Sequence, residues 1–113
     1  MICFWQGHAV SENRRLAPGQ GRWFTSDDYR AFKESLGWAI LPHVEQFPGP
    51  VSVRLTMVLN ARMDATNIIK PVLDALQTTG VVKNDSQVRQ LHVVRENAKP
   101  KQGDWLCIMV TEV

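Results

Sequence analysis

Two cysteines, a single tyrosine and no long apolar run in 113 residues exclude several classes of protein. Cys3 and Cys107 stand near opposite ends of the chain, with no Cys-x-x-Cys pair and no Cys/His metal spacing. Neither a disulfide framework nor a zinc site is expected, and both cysteines read as buried reduced thiols. No stretch approaches the roughly 20 apolar residues of a membrane span. The opening Met1-Ile2-Cys3-Phe4-Trp5 has no basic run before it and is too short for a signal core, so a cytoplasmic protein with no membrane contact is expected. Excess charge is missing too. Thirteen Lys and Arg against 11 Asp and Glu leave +2, too little to imply nucleic acid by itself, so an anionic partner has to be met by local patches. There is no internal repeat, linker or low-complexity segment. With 44% hydrophobic and 21% charged residues, residues 1–113 have the length and composition of one folded domain.

What is present is periodic. Residues 2–6 are apolar and aromatic and read as a first strand running to about Val10. Residues 11–22 carry Arg14, Arg15 and Arg22 among one proline and two glycines, the composition of a flexible basic loop. Thr25, followed by Asp27 and Asp28, marks a helix start, because a hydroxyl caps free N–H groups and carboxylates complement the positive end of the dipole. Tyr29, Phe32, Leu36 and Ile40 then recur at helical spacing, and Pro42 and Pro48-Gly49-Pro50 end the run. Val51, Val53, Leu55, Met57 and Leu59 alternate with more polar residues, as in a strand with one buried face. A second helix is predicted over about 67–79. Ile69, Val72, Leu73 and Leu76 lie on its core side, Asn67, Lys70, Asp74 and Gln77 lie opposite, and Gly80 serves as its C-terminal cap. Pro71 requires that the first turn be distorted or that the regular helix start later. Residues 87–95 and 105–112 read as strands, and their short connection favours an antiparallel pair. The order β-α-β-α-β-β predicts an α+β domain with two helices packed on a small mixed sheet.

The polar residues bunch at Asp64, Thr66, Asn67, Lys70 and Asp74, and again at Asn84-Asp85-Ser86-Gln87. Periodicity alone makes them helix caps, an exposed i,i+4 ion pair and a turn. The chemical alternative is a set of carboxylates for a hard divalent cation, which takes oxygen ligands and acts on phosphoryl groups. The order Asp64-x-x-Asn67-x-x-Lys70-Pro71-x-x-Asp74-Ala75-Leu76, then Gly80, then Asn84-Asp85-Ser86-Gln87-Val88, resembles the RusA family of Holliday junction resolvases. Ser11-Glu12-Asn13-Arg14 is similar, less specifically, to that family's Ser-x-Asn-Arg. The resemblance implies a small homodimeric Mg²⁺-dependent endonuclease acting on branched DNA, the four-way junction.

Carried over position by position, the resemblance makes Asp64, Lys70 and Asp85 catalytic, with Asp64 and Asp85 holding Mg²⁺ and Asp74 a further metal candidate or a support for Lys70. Asn67 matches a motif position and is equally suited to cap the helix. Two departures stand out. Thr66 replaces a catalytic Asp, and Asn84 replaces the first Asp of the later pair. A neutral hydroxyl is the weaker ligand, so a branched-DNA-binding relative with weakened cleavage, and a non-catalytic dimerisation module, remain as alternatives. Arg14, Arg15 and Arg22 are the first candidates for phosphate contact, with Lys83 and Arg89 near the later motif and Lys99 and Lys101 on the last loop. Trp5, Trp23, Trp38 and Trp105 are core or interface candidates, and Trp23 could instead stack on an unpaired base. His8, His43 and His92 have no spacing that demands metal or acid–base work. A helix from Asn67 to Thr79 rises about 18 Å, while the steps from Gly80 to Asp85 reach at most about 17 Å. Unless Pro71 shortens the regular helix, Asp85 is therefore expected to meet Asp64 of a second chain, in the dimer that the resemblance implies, rather than of its own.

Overall fold

A computed structural model describes residues 1–11, 16–19 and 22–113, with the backbone path alone for 16–19 and 22–25. Strands β1 (Ile2–Gly7), β4 (Val51–Leu59), β5 (Val88–Asn97) and β6 (Asp104–Glu112) form a mixed sheet in the order β1-β6-β4-β5. Strands β2 (Leu16–Gly19) and β3 (Arg22–Thr25) form a separate antiparallel hairpin. Helices α1 (Asp27–Ile40) and α2 (Thr66–Thr78) cover one face of the four-stranded sheet. The architecture is the expected α+β order with the small hairpin added.

β4 organises the core. Its odd-numbered residues, Val51 to Leu59, are all buried and face Phe32, Leu36 and Ile40 of α1 and Ile68, Val72 and Leu76 of α2. β6 lies antiparallel beside it and sets Val110, Ile108 and Leu106 against Val53, Leu55 and Met57. Each such side chain contributes about 1.5–3 kcal/mol when removed from water.

Two sequence expectations need correction here. The strands near 87–95 and 105–112 do not pair with each other, because β4 lies between them, parallel to β5 and antiparallel to β6. The intervening residues 98–103 have only to cross two strand spacings, about 10 Å, which six residues reach easily. A fully apolar inner face on β4 is better buried with a neighbour on each side than at an edge. The basic segment is not a loop throughout, since Leu16 pairs with Thr25 and Gly19 with Arg22.

At α1 the cap is Ser26, not Thr25: its hydroxyl accepts from the Tyr29 N–H at 3.2 Å. The four residues expected to face inward are the four that are buried. α2 solves the Pro71 conflict by tightening its start: Asn67 N–H bonds to Asp64 O and Ile68 N–H to Ala65 O, each three residues back. Its buried stripe is Ile68, Pro71, Val72, Ala75 and Leu76. Ile69 and Leu73, expected in the core, are only half-buried. The helix ends in a Schellman motif, with Val81 N–H on Leu76 O, Gly80 N–H on Gln77 O, and Gly80 at φ +88°. Trp5 is buried as expected and donates to Ser35 Oγ at 2.8 Å, whereas Trp38 is 72% exposed. Cys3 is buried, which pushes its thiol up to about 11, and Cys107 is half-buried.

Asp104 is the buried charged residue among those described. Its Oδ2 accepts from Ala9 N–H and its Oδ1 from Asn60 N–H, both at 2.8 Å. It ties the segment leaving β1 to the loop leaving β4. Asp104→Ala strands both donors and is expected to cost about 2–4 kcal/mol in urea unfolding. Asp104→Asn keeps one acceptor and should lose less. A loss within about 0.5 kcal/mol for the alanine variant would contradict this role.

Candidate functional site

The loop from β4 to α2 is a tight turn fastened to the sheet. Met63 N–H bonds to Asn60 O at 2.9 Å and Arg62 N–H to Asn60 Oδ1 at 3.0 Å. From β5, Arg95 donates Nη1 to Met63 O at 2.5 Å and Nη2 to Asn60 O at 2.9 Å. Asp64 follows directly and is exposed. Its Oδ1 accepts both the Thr66 N–H, at 3.0 Å, and the Thr66 hydroxyl, at 2.9 Å. These bonds, backbone first, together with the nearby Arg95 charge, hold the carboxyl below the ordinary carboxylate value, so it is ionised at neutral pH. Oδ2 takes no partner among the described residues. Thr66 thus places a neutral donor where a second carboxylate was expected and uses it to orient the first. Asn67 does not cap the helix, since it lies inside the first turn and the capping position is Ala65.

One face of α2 carries a compact charge cluster. Asp74 accepts Lys70 Nζ at 2.6 Å on Oδ1 and Lys33 Nζ at 3.2 Å on Oδ2. Burial alone would raise its pKa, but the two ammonium groups outweigh this and bring it below 3.8. Both oxygens are engaged by lysines, the geometry of a carboxylate that holds cations of the chain in place. Lys33, on α1, had no signal in the sequence, because its partner lies 41 positions away. Its ammonium also sits 5.6 Å from the centre of the Tyr29 ring.

Asp85 opens a short 3₁₀ turn, Asp85–Gln87, just before β5. Asn84, in the place of an expected Asp, caps the turn by accepting Ser86 N–H at 2.9 Å. Gln87 braces it: Oε1 accepts from Lys83 and Asn84 N–H, and Nε2 donates to Phe47 O and Gly49 O. The Asp85 side chain is exposed, with no partner among the described residues, while its carbonyl accepts the Val88 N–H.

The predicted residues therefore fall at two ends of the sheet. β4 and β5 are parallel, with Val51 opposite Val88 and Met57 opposite Arg95. Asp85 precedes the start of β5, whereas Asp64 lies by Arg95 near its end. Seven strand steps of about 3.3 Å separate Val88 from Arg95, about 23 Å in all. Lys83 and Arg89 lie at the Asp85 end. Arg62, Lys99 and Lys101 lie at the Asp64 end, where the chain from β1 also departs toward the basic segment. Arg14 and Arg15 lie outside the described residues, and Arg22 is described by its backbone alone, as the first residue of β3. Trp23 likewise has only its backbone described. Among the described residues no three His, Cys, Asp or Glu side chains gather to hold a metal ion. No described helix is long and apolar enough to cross a membrane.

The sequence profile of the endodeoxyribonuclease RusA family matches residues 7–103, a span that contains both motif regions. A crossover junction endodeoxyribonuclease RusA from Aquifex aeolicus (strain VF5) is 30% identical over 98 residues, covering 80% of this chain and 75% of that protein.

The Asp74 cluster has a signed pH dependence. A carboxyl whose folded-state pKa is lowered adds stability that is complete above its unfolded value and is lost as pH falls through the folded value. The stability gap between wild type and Asp74→Asn is expected to be constant above about pH 5, at up to about 1 kcal/mol for a partly exposed cluster. It should shrink progressively below pH 4 in urea titrations. A gap that widens on acidification would contradict the cluster.

Proposed function

Because this chain belongs to the RusA family of endodeoxyribonucleases, we propose that it resolves four-way DNA junctions by paired Mg²⁺-assisted phosphodiester hydrolysis, as a cytoplasmic homodimer of one endonuclease domain per chain. The observation that carries the reading is the separation of Asp64 and Asp85 to opposite ends of β5. Among the described residues the two do not join a cluster of three metal-ligating side chains, and an antiparallel two-chain arrangement would set Asp64 beside Asp85 of the partner subunit, twice, as two-fold symmetry requires. Two sites suit a substrate that needs two symmetric cuts.

The flank formed by α2 and β5 supports this arrangement. Among the described residues β5 is an edge strand, with no strand paired to its outer side. By the 100° rotation per helical residue, Ile69 and Leu73 lie on the side of α2 away from α1. They are half-buried, and Leu91 on β5 is 40% exposed although it lies on the helix-covered face. A second copy placed there buries all three and also brings the Lys83 and Arg89 end of one chain to the Asp64 end of the other.

In such a site Asp64 presents Oδ2, since Thr66 occupies Oδ1. Asp85 of the partner subunit supplies the second carboxylate. The divalent cation, when bound, neutralises phosphate charge and makes water a stronger nucleophile. Lys70, held by Asp74, stabilises the negative charge that grows on the phosphoryl oxygens. Lys33 shares Asp74, so that carboxylate supports lysine rather than ligating metal. Arg14, Arg15 and Arg22 contact DNA phosphates together with Lys99 and Lys101, and Asn67 shapes the first turn beside Asp64. The neutral Thr66 favours a second reading, junction binding with weakened cleavage. Thr66→Asp decides it: a lowered Mg²⁺ requirement for nicking supports a ligand-poor enzyme, and an unchanged one shows that Thr66 replaces no ligand.

Asp64→Asn and Asp85→Asn should each cut nicking of a synthetic junction by at least about 100-fold while leaving junction binding intact. Mixing the two inactive homodimers and allowing exchange restores both carboxylates to one of the two heterodimer sites, so nicking returns. Demonstrated exchange without nicking contradicts the shared site. Neutralising Arg14, Arg15 and Arg22 together is expected to reduce the salt dependence of junction binding by about 0.9 log units per lost contact, and an unchanged slope places the DNA elsewhere.

A further inference from the structure

We propose that Arg95 is a positioning residue of the Asp64 site, acting through the carbonyls of Asn60 and Met63 rather than by touching DNA or metal; this rests on the site proposed above. Arg95 lies outside both motif regions, and nothing in its spacing singles it out. Its guanidinium closes the turn between β4 and α2 from the β5 side, with one Nη on the carbonyl that opens the turn and the other on the carbonyl immediately before Asp64. From the other side, Asp104 holds the Asn60 N–H. The backbone entering Asp64 is thus gripped at both ends, and Thr66 fixes one carboxylate oxygen. The direction of the remaining oxygen follows from these constraints. Two carbonyls at this separation need a planar fork with two donors, which a lysine ammonium does not reproduce.

The cost of the arrangement argues that it is not simple surface charge. Arg95 Nε is buried with no partner among the described residues, and an unmet buried donor is normally selected against. A surface cation on an edge strand would need no such burial. Groups that orient a metal-site ligand from outside typically alter metal affinity or activity by about 10–100-fold when removed.

The test compares wild type, Arg95→Met, Arg95→Lys and Asp64→Asn. Each is measured for Mn²⁺ affinity by calorimetry, for junction binding without metal, for kcat and KM of nicking, and for urea stability. Arg95→Met is expected to weaken Mn²⁺ binding and lower kcat by about 10-fold or more, with KM and metal-free junction binding unchanged. Arg95→Lys should be similarly impaired in kcat although it keeps the charge and, at the stem, the packing, so it carries the comparison if the methionine variant folds poorly. If both variants lose stability only, with Mn²⁺ affinity and kcat as in wild type, Arg95 is a structural residue and the proposal fails alone. If Asp64→Asn retains wild-type Mn²⁺ binding and nicking, the site itself is wrong and the proposal falls with it.

Discussion

A strand that leads into a helix and then into a parallel neighbour delivers its two connections to opposite ends of the sheet, and β4-α2-β5 obeys this constraint. The chain leaves β4 at Asn60, runs back along α2 and enters β5 through Asp85. Asp64 and Asp85 sit in those two connections, beyond opposite ends of a β5 stretch, Val88 to Arg95, that spans about 23 Å. No side-chain rearrangement closes such a gap, because β4 is buried on its helix face and hydrogen-bonded on both edges. On the reading proposed above, a site that uses both carboxylates takes one from each of two chains.

The connections at each end are irregular, and each is held by a polar group that spends its capacity on backbone. Asp104 takes the N–H groups of Ala9 and Asn60, Arg95 takes the carbonyls of Asn60 and Met63, and Gln87 takes those of Phe47 and Gly49. Loops otherwise carry unsatisfied backbone groups and move freely. Fastened in this way, the Asp64 and Asp85 turns inherit the rigidity of the sheet, a condition for holding carboxylates within the narrow tolerance that a metal site requires.

Much of this was legible in the residues. The alternation of β4 and the spacing of Tyr29, Phe32, Leu36 and Ile40 appear in the structure as written, because burial against a common core enforces those periods. The partner of each strand was not legible. β5 and β6 look like a hairpin by loop length, and only the demand that β4 be buried on both sides sets them apart. Ile69 and Leu73 match a helical period as well as Ile68 and Ala75 do, and the choice depends on where α1 lies. Asp64, Lys70, Asp74 and Asp85 were singled out by an order of residues that resembles the RusA motif. Lys33, Arg95 and Asp104 were not, since their contacts span 41, 32–35 and 44–95 positions and leave no local pattern.

The two-chain site is tested most directly by proximity. Asp64→Cys and Asp85→Cys chains, in a Cys107→Ser background, are mixed, exchanged and treated with a short bis-maleimide. A covalent two-chain product that forms in the mixture, and in neither variant alone, is the predicted result. An internal cross-link in a chain carrying both substitutions, with no two-chain product from the mixture, would show Asp64 and Asp85 meeting within one chain and would contradict the shared site.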